Sequence, residues 1–463
     1  MKIYAEMALT PTGWQNSLLV QVGDDGKIAQ VESDVSPERA GEASRRVEIL
    51  LPAPVNLHSH AFQRAMAGMS EKRGPEPLDT FWTWRQIMYR FLDILSPDDI
   101  EAITAFVQME MLEAGYACNA EFHYVHHQPD GTPYDNLAEL SERVVAAAEQ
   151  SGIGLTLLPV LYQYGGCDQR PLGAGQIRFG NDYERFARLH EGASKAVARL
   201  GASRSEGDSL MGVAPHSLRA VSPEALSACV SLAGARPLHM HLAEQVKEVE
   251  EVEAAYGKRP VDWLLDHHDV KPNWCLIHCT QMTDRETDAL AATGAVAGLC
   301  PITESSLGDG IFNGVRYLEK GGKLGLGSDS NIRISLSEEL RTLEYSQRLR
   351  DRCRASVATA DRSTGRVLYD AALTGGAQAA GRMAGAIACG HYADLLALDA
   401  SSPMLDGCKG DDILDGWIFA GDDRLITDVW SAGRHLVIDG KHSRGEEIRR
   451  RYREVMRRLR QEF

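Results

Sequence analysis

Two histidines stand two residues apart in Val55-Asn56-Leu57-His58-Ser59-His60. In an extended chain, residues i and i+2 project to the same side. His58 and His60 can therefore aim both imidazoles at one point at the mouth of a strand. Imidazole suits zinc, copper, iron or nickel, and a metal site needs three or four ligands. His239-Met240-His241-Leu242-Ala243-Glu244 repeats the spacing and adds a carboxyl three residues after the second histidine. A ligand, His241, and a proton carrier, Glu244, can then face one cavity. Gly327-Ser328-Asp329-Ser330-Asn331 ends a further apolar run, where Asp329 can reach a metal or its bound water. Three histidines and one aspartate leave room for water, which marks a catalytic rather than a structural site. His239 reads as packing, and His123, His126 and His127 read as loop or packing residues.

Such a site needs strands to carry it. Eight strand candidates run through the middle of the chain: 49–57, 117–124, 154–160, 210–216, 237–242, 274–278, 295–299 and 323–328. Helical patterns lie between them, at 97–113, 136–150, 182–200, 244–256, 284–293 and 336–353. Strands alternating with helices imply parallel pairing. Eight units fit an α/β fold, a distorted (β/α)8 TIM-like barrel, whose chemistry sits at the C-terminal strand ends. His58, His60, Tyr124, His216, His241, His278 and Asp329 all fall there. Short strands and turns return at both termini, which predicts a small β-sandwich module built from residues 1–51 with 385–445 around a barrel of 52–384. Residues 446–463 read as a basic amphipathic helix that packs Tyr452, Val455, Met456 and Leu459 inward.

The 463 residues carry 49 Lys and Arg against 65 Asp and Glu, a formal charge of −16. Such a surface repels nucleic acid and anionic membranes. Nine cysteines without a C-x-x-C pair fit a reducing compartment. No stretch approaches 18 apolar residues, and a soluble, cytoplasmic protein without a signal peptide is expected.

Taken in order, N-L-H-S-H, H-M-H-L-A-E, L-I-H-C and G-S-D-S-N resemble the metal-dependent amidohydrolase superfamily, most of all its mononuclear deaminase branch. The resemblance covers nearly the whole chain. A narrower one rests on the run His58 to Gly68, on Phe81-Trp82-Thr83-Trp84-Arg85, and on Ala120-Glu121-Phe122-His123-Tyr124 with Val125-His126-His127. These look like the formimidoylglutamate deiminase family, which hydrolyses N-formimino-L-glutamate to N-formyl-L-glutamate and ammonia in histidine degradation. Two-metal members of the superfamily need a lysine at the fourth strand end. Met211-Gly212-Val213-Ala214-Pro215-His216 has none, so the resemblance implies a single ion.

The resemblance implies the following roles. His58, His60, His241 and Asp329 hold one Zn2+ per subunit, other divalent ions being possible. Bound water then titrates near about 7 instead of about 15.7. Asp329 takes the water's proton, His278 polarises the formimino carbon, and Glu244 protonates the leaving nitrogen. The substrate is a small dicarboxylate. Arg85 and Arg219 are the carboxylate partners, since guanidinium offers a planar pair of donors, with Gln63, Tyr124 and His216 beside them. Phe81, Trp82 and Trp84 form a packed lid or wall, and the family implies a homodimer. The alternative is a purine or pterin aminohydrolase, guanine-deaminase-like, with the same metal site but stacking aromatics in place of the arginines.

Overall fold

The computed structural model describes residues 1–72, 80–204 and 207–462. Its centre is a distorted (β/α)8 barrel. One arc pairs Val55–Ser59, Cys118–His123, Gly154–Leu161 and Ser209–Met211 in parallel; the other pairs Leu238–Leu242, Trp274–His278, Val296–Leu299 and Lys323–Leu326. Nearly every residue of these strands is buried. That is the pattern of a parallel sheet covered on both faces. The helices between them carry local start and stop signals. Tyr183–Ala202 begins at Asp182, whose side chain accepts from the Arg185 N–H. Asp284–Thr293 begins with a reciprocal cap between Thr283 and Glu286 and stops at Gly294, in the left-handed region.

Two narrow seams close the ring. Val213 bridges to Leu238, and Ser59 bridges to Asp329. At the second seam Asp329 N–H donates to His58 C=O and His60 N–H donates to Asp329 C=O, both at 2.9 Å. Backbone closure thus brings the chain segments of three expected ligands together. Gly327 permits it, because a Cβ there would lie 2.7 Å from the His58 backbone.

Two sequence expectations change. The run 49–57 is two strands, Arg45–Pro52 and Val55–Ser59. Residues 49–59 are buried throughout, so the apolar run is continuous, but Pro52 and Pro54 remove ladder donors and Ala53 N–H turns aside to Asp394 C=O. The fourth strand also breaks. Gly212 and Val213 separate Ser209–Met211 from Ala214–Pro215, and Val213 N–H crosses to Pro237 C=O.

The termini meet in one continuous eight-stranded sheet, joined where Arg45–Pro52 pairs antiparallel with Leu395–Leu398. The C-terminal helix, Gly445–Glu462, lies on the helix Pro97–Glu113. Tyr452 stacks on Phe106 at 3.9 Å between centroids. Its arginines meet acids on that neighbour: Arg449 with Glu113, Arg451 with Glu101 and Arg458 with Asp99. Three of its arginines are thereby neutralised across that contact. Among the described residues, no helix is long and apolar enough to cross a membrane.

Candidate metal centre

At the seam, Asp329 Oδ1 lies 3.3 Å from His58 Nε2 and 3.2 Å from His60 Nε2. His58 Nε2 is in turn 3.2 Å from His241 Nε2. The other ring nitrogens decide what these contacts mean. His60 Nδ1–H donates to the Phe122 carbonyl at 2.9 Å, and His241 Nδ1–H to the His216 carbonyl at 3.1 Å. A neutral imidazole has one N–H, so both Nε2 atoms present lone pairs. Burial keeps the rings neutral: it lowers His58 to about 3 and drives His60 and His241 below the usual histidine range. Burial works to raise Asp329, but a hydrogen bond from His58 and the charge of His278 outweigh it and hold the carboxylate ionised. A proton on His58 cannot serve every lone pair here. The donor set fits a cation, with imidazole and carboxylate oxygen as its ligands.

His278 stands at the same place. Its ligand atom and those of His58, His241 and Asp329 lie within 4.8 Å of one another. Its surroundings differ, however. Nδ1 is 3.2 Å from Glu304 Oε1, and Nε2 is 3.9 Å from Glu244 Oε1. Burial works to lower His278, but Glu244, Glu304 and Asp329 push it well above the usual range. An imidazolium has no lone pair and acts as a donor. Burial in turn pushes Glu244 up to about 7, against the pull of His278. The carboxyl can therefore exchange a proton near neutrality.

The turns that present these groups are unusual. His278, Cys279, Asp329, Asn331 and Ala243 all have positive φ, between 43° and 71°. Side chains rarely adopt that region, and such positions cluster at functional sites. The turn holding Glu244 is fixed by Glu248, which accepts from the Ala243 and Glu244 N–H groups at 3.0 and 2.9 Å.

Above the centre is a partly open cavity. His60, Gln63, Arg85, Tyr124, His216, Arg219, His241, Glu244, His278 and Asp329 all line it. His58, fully buried, lies beneath. Gln63 Nε2–H donates to Tyr124 OH at 2.8 Å, leaving Gln63 Oε1 without a partner. Arg85 donates to Tyr162 OH at 3.0 Å, and Arg219 is buried with its Nε unpartnered. Phe81 and Trp84 form part of the wall, and Trp82 stands outside it.

The sequence reading missed Tyr162, Phe179, Met88 and Leu307 in the wall. It also missed Glu304, which accepts from the Cys300 N–H at 2.8 Å while holding His278. Glu304 carried one signal, an acid in an otherwise apolar and hydroxyl-rich stretch after the seventh strand. His239 bonds the Ala379 carbonyl away from the centre, and His126 and His127 bond the Val160 and Gly180 carbonyls.

Comparison with known proteins places the chain. Residues 49–436 match the amidohydrolase family, and residues 1–45 match the N-terminal domain of formimidoylglutamate deiminase HutF. A formimidoylglutamate deiminase of Pseudomonas aeruginosa is 48% identical across 98% of each chain. A 5-methylthioadenosine/S-adenosylhomocysteine deaminase of Bacillus cereus is 26% identical across 93% of this chain and 94% of its own. Among solved structures, an amidohydrolase of Brucella melitensis superposes with a TM-score of 0.93 at 46% identity, covering 99% of each chain. An adenosine deaminase of Xanthomonas campestris with bound zinc shares the fold, with a TM-score of 0.80 at 22% identity over 99% of this chain and 98% of its own. The chain belongs to the amidohydrolase family and, within it, to the formimidoylglutamate deiminases.

Proposed function

We propose that the chain hydrolyses N-formimino-L-glutamate to N-formyl-L-glutamate and ammonia, as a metal-dependent deiminase of histidine degradation. One observation carries the reading beyond family membership. Lone pairs and a carboxylate converge beneath a cavity that holds two arginines, Arg85 and Arg219, and no carboxylate forms an ion pair with either among the described residues. Two free guanidinium groups suit a substrate with two carboxylates. A purine, which carries no carboxylate, would leave the charge of both unmatched.

His58, His60, His241 and Asp329 would hold one zinc ion per subunit, which supplies a Lewis acid that makes water nucleophilic at neutral pH. The remaining roles belong to the chain. Asp329, ionised, accepts the proton of the attacking water. His278, cationic between Glu244 and Glu304, donates toward the negative charge that develops on the heteroatoms as the formimino carbon becomes tetrahedral. Glu244 gives a proton to the nitrogen that leaves, so that ammonia departs rather than an amide anion. Arg85 and Arg219 bind the carboxylates. Gln63, Tyr124 and His216 fix the orientation of the chain between them. The terminal sheet, 1–51 with 385–445, buttresses a catalytic barrel of 52–384, with 446–463 as its clasp. Family membership supports a cytoplasmic homodimer, which sedimentation of the purified protein checks.

Ammonia release from N-formimino-L-glutamate, N-formimino-L-aspartate and guanine tests the reading. The glutamate derivative should be turned over fastest. Faster release from guanine would instead identify a purine aminohydrolase.

A further inference from the structure

Trp82 collects three cations. Lys247 Nζ lies 4.6 Å from the ring centroid, the Arg219 guanidinium 5.2 Å and the Arg85 guanidinium 5.7 Å. Among the described residues, none of the three forms an ion pair with a carboxylate. Glu248 is held by the Ala243 and Glu244 N–H groups and Glu251 by Arg170, whereas Glu244 lines the cavity with the two arginines and Glu250 lies exposed three residues along the helix from Lys247. Each cation–π contact is individually weak, and like charges crowded together repel. Three unpaired cations in a chain of net charge −16 are a costly arrangement unless an anion passes between them. Arg85 and Arg219 line the cavity, whereas Lys247 is exposed, in the first turn of the helix Val246–Tyr256.

We propose that Lys247, seated on Trp82, forms with Arg85 and Arg219 a positively charged mouth that draws a dicarboxylate into the cavity. The inference rests on the dicarboxylate reading above. Lys247 and Arg219 share one ring, so their charges are separated by no more than about 10 Å, roughly one Debye length in ordinary salt. A positive cleft on an acidic protein focuses the field and raises the arrival rate of anions by about 10- to 1000-fold. Lys247 therefore acts on capture, and its effect belongs to kcat/KM rather than kcat. Trp82 keeps the three cations in register.

The test compares wild type, Lys247→Gln and Lys247→Glu by two measurements across ionic strength. One is ammonia release from N-formimino-L-glutamate. The other is calorimetric binding of glutarate, a dicarboxylate that cannot react. Lys247→Glu should lower kcat/KM about tenfold at low salt and weaken glutarate to match, with kcat within about twofold of wild type. Lys247→Gln should fall between. The differences should vanish near 1 M salt, where screening acts over about 3 Å. Variants that match wild type at low salt overturn the proposal, as does a loss that persists unchanged at high salt. Weakened glutarate binding in a protein that releases no ammonia would uphold the mouth and overturn the deiminase reading.

Discussion

Two of the buried polar clusters among the described residues are built on opposite principles. Where the barrel meets the terminal sheet, Arg382 donates to both carboxylate oxygens of Asp394 at 2.6 and 2.9 Å. It also donates to Asp208 Oδ1 at 2.9 Å and to the Asp208 carbonyl at 2.8 Å. Arg434 reaches the remaining Asp208 oxygen at 2.8 Å, and Ala432 N–H adds a donor to Asp394. Each charge there faces its opposite. At the other cluster, His60 and His241 have used their protons on carbonyls and turn lone pairs toward Asp329 and His58. A satisfied cluster holds the scaffold together; one whose donors are spent elsewhere is built for a guest.

Mutation and chemistry should separate the two. The largest effect is expected for Glu244→Gln, which should lower kcat by about 10²–10⁴-fold while metal content and melting temperature stay near wild type. Next is Arg382→Met, which leaves the buried Asp394 without its cation while Asp208 keeps Arg434, and should cost about 3–5 kcal/mol of stability in denaturant titration. Activity per folded molecule should be retained. Removing the metal by chelation should lower stability by about 3 kcal/mol where free ion had stood at about 100-fold its Kd. Zinc should restore it, and the same loss should appear in Arg382→Met. Glu304→Gln loosens the grip on His278 and should lower activity about 10- to 100-fold, the range for partners that orient a site histidine.

The smallest effect concerns pH. His190 is buried far from the site with Nε2–H on the Gly212 carbonyl at 3.1 Å, and burial lowers it to about 4. Its folded pKa lies below its unfolded value of 6.5, so the unfolded chain binds more protons between the two. Stability is therefore full above 6.5 and is lost as pH falls through about 4. His190→Gln should make the acid limb of the stability curve shallower, read as melting temperature against pH.

Much of this organisation could be read from the residues, and the exceptions have causes. Strands such as 274–278 stand out because burial on both faces makes continuous apolar runs between helical stretches. The same continuity hid the break at Pro52-Ala53-Pro54, since the residues on either side of it, 49–59, are all buried. Residues at strand ends, such as His241 and Asp329, declare themselves by type and spacing. Glu304, Tyr162 and Phe179 do not, because only the folding of distant segments brings them to the cavity. The acids that neutralise the C-terminal helix, Glu101 and Glu113, lie some 350 residues away in the chain and left no local trace.

The central claim is that three neutral imidazoles and one carboxylate surround a single cation while His278 stays a donor. Anomalous scattering at the zinc edge, on crystals of protein purified without chelator, tests it most directly. The account predicts one peak per chain, about 2.0–2.2 Å from Nε2 of His58, His60 and His241 and from a carboxylate oxygen of Asp329, with His278 outside bonding distance. A peak elsewhere, or none in protein that releases ammonia at full rate, would contradict it.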